Sequence, residues 1–579
     1  MSNTLTQALR GLRIGREQRI LVFQAVIIGV VVWIAIFTLK ESVHWLSHEV
    51  IHWIDHAATP LVLFVPLLIG ALIVGAIAQF RASTINYRDD EGEVEPLNAV
   101  EGDGLERTIA LYYSADPSVK KGLATEQTGL EARWQMPTFA MAVRKFVASL
   151  VTLGSGGSGG LEASSALIGE NLAAWYYKLH TNISRHRLGN LPESMSRPWE
   201  APNPAYLQTA QLGGVAAAVT VLLGAPLAAA FFASEVMYRN RPLLEKLFYS
   251  LIAALTARLL SRLVAGARPM MFEVEEFVFP NVGDMRYGFA LVLMAIVIAL
   301  VGQIYRISSV KSNAWFQKIN NRFARLLVGF GITGVVALMV YYLTHSLELT
   351  DHGLELVLGS GESMVNLAFA GQVTIGMALI GLVAKMIATL ATISSGGSAG
   401  LLVPALFFGT MIATSFAQIF EYEPMLFIVP AFAGSLIAIV NTPLTAILFA
   451  VEAFGAIYMI PVLVILIVTG LLSNPKTIYR TQQAALDSIE LLPGYDTRQI
   501  NLPEAWAGQT LNTLNIGEKF DINVIGLLDR SEGDEEPQVL FSSTLSRTLE
   551  QNDVLVIYGR DKDLDALEAA AANLQAQES

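Results

Sequence analysis

One ten-residue phrase occurs twice in this chain, and it limits the fold more than any other feature. Residues 155–164 read SGGSGGLEAS, and residues 395–404, 240 positions later, read SGGSAGLLVP. Six of the ten positions agree, and each phrase runs into an apolar segment with a glycine at the same offset, Gly169 and Gly409. A second echo follows: GAPLAAAFFASEV from Gly224 and NTPLTAILFAVEA from Asn441 share a proline, a leucine and a glutamate nine residues after the proline, Glu235 and Glu452. Glycine-interrupted apolar segments at matching places in two halves point to a transport site made of broken helices in inverted repeats.

Composition places most of the chain in lipid. Only 15% of its 579 residues are charged and mean hydropathy is +0.49, against roughly 25% charged residues in soluble domains. The net charge of -12 argues against a nucleic-acid partner, and the lack of cysteine excludes disulfides, cysteine-ligated metals and thiol catalysis. Four arginines precede the apolar run 20–37, which reads as a retained first span. The positive-inside rule then places residues 1–19 in the cytoplasm.

Apolar blocks recur near 60–80, 138–153, 163–177, 209–233, 243–264, 287–305, 325–343, 370–392, 400–420, 425–440 and 443–472. Several fall short of the ~20 residues that cross the hydrocarbon core. The expectation is an all-α polytopic membrane domain over 20–480, built of tilted and broken helices, with repeat halves near 60–264 and 287–480. Residues 82–136 are polar and acidic, with little apolar periodicity. From about Asp496 the chain reads as a small α/β domain reaching to residue 579, with FDINVIGLL and DVLVIYG as strands and TLSRTLEQN and DLDALEAAAANLQ as helix-forming stretches.

The repeated phrase carries the chemistry. Gly156, Gly157, Gly159, Gly396, Gly397 and Gly400 let the backbone approach a ligand closely. Unpaired amides at the following helix starts, aided by the helix dipole, form an anion site. Glu162 stands in the first start, where the second has Leu402. Its carboxylate is a tethered anion that competes for the same site and gives it up on protonation, so an intramembrane acid here is a gate by expectation. A helix-capping glutamate with no transport role is the plainer alternative. Glu235 and Glu452 read first as helix-end contacts or salt-bridge partners.

These residues resemble the CLC chloride channel/transporter family. Glu162 resembles its gating glutamate, although Leu161 replaces the basic residue of G-[KR]-E-G-P, and Ala163-Ser164 replaces Gly-Pro. Gly400–Pro404 is similar to G-x-F-x-P, with Leu402 for Phe. The resemblance implies anion binding by the backbone at Gly160, Leu161, Leu401 and Leu402, and by the hydroxyl of Tyr479. It gives Lys145 and Glu235 electrostatic roles along the pore. The family's G-S-G-x-P segment is expected before Lys145 and is not recognised there. Val236 replaces a second consecutive glutamate found in proton-coupled members, which favours a passive channel, with proton/anion antiport as the alternative. Chloride is the default ion over fluoride or nitrate.

The resemblance also implies a homodimer with one pore per subunit, and the expected location is a bacterial inner membrane with both termini cytoplasmic. The tail resembles a TrkA-C (RCK C-terminal) regulatory module, which binds an unidentified ligand or serves in assembly alone. No cofactor, resident metal or catalytic group is expected.

A rival reading comes from His44, His48, His52 and His56. His48-Glu49-Val50-Ile51-His52 fits the HExxH zinc-protease pattern, with Glu49 as base. No later motif supplies a third ligand, and Trp45 and Trp53 favour an interfacial helix.

Overall fold

The computed structural model describes residues 16–79, 84–88, 94–113, 133–187, 203–237, 244–266, 283–473, 495–529, 538–541 and 548–571, with isolated gaps inside these ranges, and residues 272, 278 and 281. The chain divides into two compact units, residues 1–483 and 484–579.

The first unit is helical. Its first half holds α1 (Arg16–Asp55), α2 (Phe64–Gln79), a short hairpin of β1 (Thr84–Arg88) and β2 (Val94–Asn98), α3 (Leu105–Tyr113), α4 (Thr138–Gly154), α5 (Glu162–Arg187), α6 (Pro204–Leu223), α7 (Pro226–Met237) and α8 (Leu244–Ala265). The second half holds α9 (Met285–Gln317), α10 (Arg322–Ser346), α11 (Glu362–Phe369), α12 (Ile375–Ser394), α13 (Leu402–Phe420), α14 (Pro424–Ser435), α15 (Pro443–Phe454) and α16 (Met459–Leu472). Among the described residues, eight helices are long and apolar enough to cross a membrane. α7, α14, α15 and α16 are apolar and shorter. This is the expected mixture of full spans and half-spans.

Local chemistry sets the breaks. Asn203 caps α6 by accepting the Ala205 amide, and Pro204 supplies the fixed φ of a first helical residue. Gly224 ends α6 at φ 70°, and Pro226 opens α7 two residues later. In the second half, Asn441 takes the same left-handed backbone at φ 60° before Pro443 opens α15. The two breaks are counterparts in sequence and in conformation.

α1 runs without interruption for 40 residues, so His44, His48 and His52 are part of the first long helix rather than of a separate interfacial one. Within 82–136 the structure adds two things absent from the sequence expectation: the β1–β2 hairpin, and α3, whose residues are mostly buried.

In the second unit, β3 (Tyr495–Asn501), β4 (Ile522–Asp529), β5 (Gln538–Phe541) and β6 (Val554–Arg560) form an antiparallel sheet in the order β3-β6-β4-β5. Two short helices, α17 (Leu511–Leu514) and α18 (Ile516–Phe520), lead into β4. Ile500, Leu514, Ile557 and Leu564 help fill its core. Thr548, in the middle of the first helix-forming stretch, pairs instead with Thr510 as an isolated bridge.

Candidate functional site: two glycine turns joined at a helix start

The repeated phrases meet. The Gly160 amide donates to the Gly400 carbonyl at 2.8 Å, and the Gly400 amide donates to the Gly160 carbonyl at 2.5 Å. The approach to this bridge is reciprocal. The Ser158 amide donates to Thr392 Oγ1 at 3.1 Å, and the Ser398 amide donates to Thr152 Oγ1 at 3.0 Å. The Ser158 hydroxyl pairs with that of Thr389, and the Ser398 hydroxyl with that of Ser149. Each residue and its counterpart are 240 positions apart, so the contacts obey a local two-fold relation between the halves. All these groups are buried, and an unpaired buried amide costs about 1–3 kcal/mol.

Close packing explains the glycines. A Cβ on Gly157 or Gly397 would lie 2.5 Å from the carbonyl oxygen of Thr152 or Thr392. Those glycine amides close the turns by donating to the same carbonyls, at 2.8 and 2.9 Å. Gly156 and Gly396 take φ values of 99° and 109°, a region that favours glycine.

α5 and α13 leave from these two turns. Glu162, the first residue of α5, is 1% exposed, and its Oε2 accepts the Val403 amide of α13 at 3.4 Å. The carboxylate of one half therefore rests on the helix start of the other. Leu401 and Leu402 flank that contact and are buried; Leu161 is half-buried and precedes Glu162. Two hydroxyls in the first turn of α5, Ser164 and Ser165, are buried without a hydrogen-bond partner among the described residues.

Lys145 on α4 is fully buried. Its Nζ donates to the carbonyls of Gly102 and Val100 at 2.7 and 3.2 Å. Its counterpart Lys385, not singled out in the sequence, donates to Gly359, Val357 and Leu358 at 2.7, 3.1 and 3.2 Å. The 240-residue offset from Lys145 would have found it.

The turn beside Lys145 is built by residues that the sequence reading did not single out. Gly102-Asp103-Gly104-Leu105-Glu106 opens α3 at the place where G-S-G-x-P was expected. Both glycines are kept, with Asp for Ser and Glu for Pro. A Cβ on Gly104 would lie 3.0 Å from the Ala163 carbonyl, so this turn abuts the start of α5.

Glu235 and Glu452 act as helix caps. Glu235 accepts the Leu444 and Thr445 amides, each at 2.9 Å, and the Thr445 hydroxyl at 2.7 Å. Glu452 accepts the Leu227 and Ala228 amides at 3.1 and 2.9 Å. Tyr479 lies outside the described residues.

His44, His48 and His52 are exposed along α1 and His56 just past its end, with the rings of His52 and His56 stacked at 4.1 Å. Among the described residues, no group of three histidine or acidic side chains is placed to hold a metal ion.

Residues 108–474 match the family model described as "Voltage gated chloride channel". The chain belongs to the voltage-gated chloride channel family. Three solved CLC structures share the fold. A slow cyanobacterial Cl-/H+ antiporter superposes with a TM-score of 0.59 at 17% identity, covering 81% of this chain and 97% of its own. A CLC-type fluoride/proton antiporter gives 0.58 at 18% identity, covering 82% and 100%. A eukaryotic CLC transporter gives 0.57 at 16% identity, covering 80% and 73%. CLC proteins are membrane anion transporters and channels rather than enzymes, and the apolar spans of this chain agree with a place in the bilayer.

Proposed function

We propose that this CLC protein passes chloride, or an anion of similar size, past the paired glycine turns, with Glu162 as the gate. The observation that carries this reading is the contact between Glu162 Oε2 and the Val403 amide across the repeat boundary. A carboxylate seated on a helix start holds the place where a free anion would bind. The backbone at Gly160, Leu161, Leu401 and Leu402 then serves the anion, and Tyr479 adds a hydroxyl. Protonation removes the charge that draws Glu162 to the seat, and the anion takes its place.

Passive conduction is the form of transport we favour. Val236 is buried and apolar, and both carboxylate oxygens of Glu235 hold the start of α15. Both features support conduction without a second carboxylate at position 236. We further propose a homodimer with one pathway per subunit, set in an inner membrane with cytoplasmic termini. Residues 496–579 would act as a cytoplasmic regulatory domain.

Proteoliposome efflux with a chloride electrode and a pH electrode tests these statements together. Wild type should release chloride without stoichiometric proton movement, and Glu162→Ala should release it with no response to external pH. Proton uptake against its gradient would replace the channel reading with exchange. An unchanged pH response in Glu162→Ala would remove Glu162 from the gate.

A further inference from the structure

The turn Gly102–Gly104 has a counterpart in the second half, Gly359-Ser360-Gly361, which opens α11. The paired glycines have matching φ angles, 70° and 63° for the first, 90° and 83° for the second. In both turns the middle side chain accepts the amide two residues on. Asp103 Oδ1 takes the Leu105 amide at 3.1 Å, and Ser360 Oγ takes the Glu362 amide at 3.4 Å. In both, a buried lysine donates to the first glycine's carbonyl at 2.7 Å. A hydroxyl is therefore enough to build this turn, and what Asp103 adds is charge.

That charge sits in a buried place next to the gate. Asp103 is 7% exposed, and its turn touches Ala163, the residue after Glu162. Two hydroxyls nearby are buried without hydrogen-bond partners among the described residues: Ser164 in the same turn of α5, and Tyr305 of α9, which lies within electrostatic reach of Asp103. Unpartnered buried hydroxyls beside a pathway are donors suited to a small anion. Of the charged groups around Asp103, Lys145 is held by carbonyls and Arg107 donates to the Asn98 carbonyl at 2.7 Å. Glu101 is paired with Arg322 and Arg325 at 2.5 and 2.7 Å. Glu106 follows on α3, and Glu162 opens α5 one residue before Ala163.

We propose that Asp103 is a second proton-exchanging carboxylate of the anion pathway, so placed that a small anion binding beside the Glu162 turn draws a proton from water onto Asp103. The proposal rests on the pathway reading above. Two like charges in a buried site oppose each other strongly, so occupancy by the anion and ionisation of Asp103 exclude one another. By linkage, uptake of one proton per anion weakens anion affinity by about tenfold for each unit rise in pH above the titration of Asp103.

The test uses the full chain carrying Glu162→Gln, which silences the gate carboxylate. Chloride binding is measured by titration calorimetry in detergent from about pH 5 to 8, in buffers of different ionisation enthalpy. The expected result is weaker binding as pH rises, with close to one proton taken up per chloride. Adding Asp103→Ser should abolish both. Asp103→Asn keeps the oxygen that caps α3 and should do the same if the serine variant fails to fold. Chloride binding by Glu162→Gln that ignores pH overturns the proposal, as does a pH dependence that survives Asp103→Asn. Absence of chloride binding by Glu162→Gln at every pH overturns the pathway reading itself, and this proposal with it.

Discussion

Glu235 and Glu452 each hold the start of the helix that carries the other. Glu235, near the end of α7, caps α15, and Glu452, near the end of α15, caps α7. Two short helices are thereby locked together by carboxylates 217 positions apart in sequence. Hydrogen bonds from backbone amides to a carboxylate contribute about 1.5–3 kcal/mol each time such a buried cap is kept. Glu235→Ala should therefore lower the thermal midpoint in detergent more than Glu452→Ala, since Glu235 is 4% exposed and makes the extra bond to Thr445. Equal losses would show that burial does not set the strength of these caps.

A buried ion pair gives a second stability prediction. Arg133 Nη2 and Glu170 Oε1 are 2.6 Å apart with both side chains fully buried, and Gln211 donates to the same oxygen at 2.5 Å. Arg133→Met leaves Glu170 charged and uncompensated, at a cost of about 3–5 kcal/mol. Adding Glu170→Gln should recover most of that loss. A double variant no more stable than the single one would show that the pair acts mainly through packing.

The glycine seam is sensitive to a single methyl group. In Gly400→Ala the new Cβ would lie 3.0 Å from the Ala163 amide nitrogen and 3.2 Å from the Ala163 methyl. Overpacking of this kind costs about 1–3 kcal/mol, and here it strains the contact between the repeats. The variant should fold with a lower thermal midpoint and pass chloride more slowly than wild type. Wild-type flux at a lowered midpoint would separate the seam from the pathway.

The gate carries a pH sign. If protonation frees Glu162 from the Val403 amide, chloride flux rises as external pH falls and declines as pH climbs. Glu162→Gln mimics the protonated form and should hold flux at its low-pH level throughout. Stopped-flow efflux across a pH series reads this directly, and a flux that increases with pH would reverse the assignment.

The helical architecture was legible because its signals are redundant. Long apolar runs, Pro226 and Pro443 at helix starts, and the doubled glycine phrase all point to the same broken-helix repeats. Glu162 stood out in the sequence as a lone acid inside that phrase, and the structure brings it to the Val403 amide of the opposite repeat. Asp103 did not stand out, since Gly102–Glu106 matches the expected motif only at its two glycines and lies within an acidic stretch. Its turn also pairs with the second half at an offset of 257 rather than 240. α3 was missed because Leu105–Tyr113 is only nine residues long, too short to register as a span, though its burial comes from contacts made by distant helices. The capping partners of Glu235 and Glu452 were beyond reach of sequence, because each lies in the opposite repeat.

The bridge between Gly160 and Gly400 bears on how large any opening motion can be. Prising the repeats apart at that point would strand two N–H and two C=O groups in a dry interior, at a cost of several kcal/mol. Rotation of one glutamate side chain strands none of them. On the proposed gating, the economical stroke is a few torsion angles wide and leaves this bridge closed.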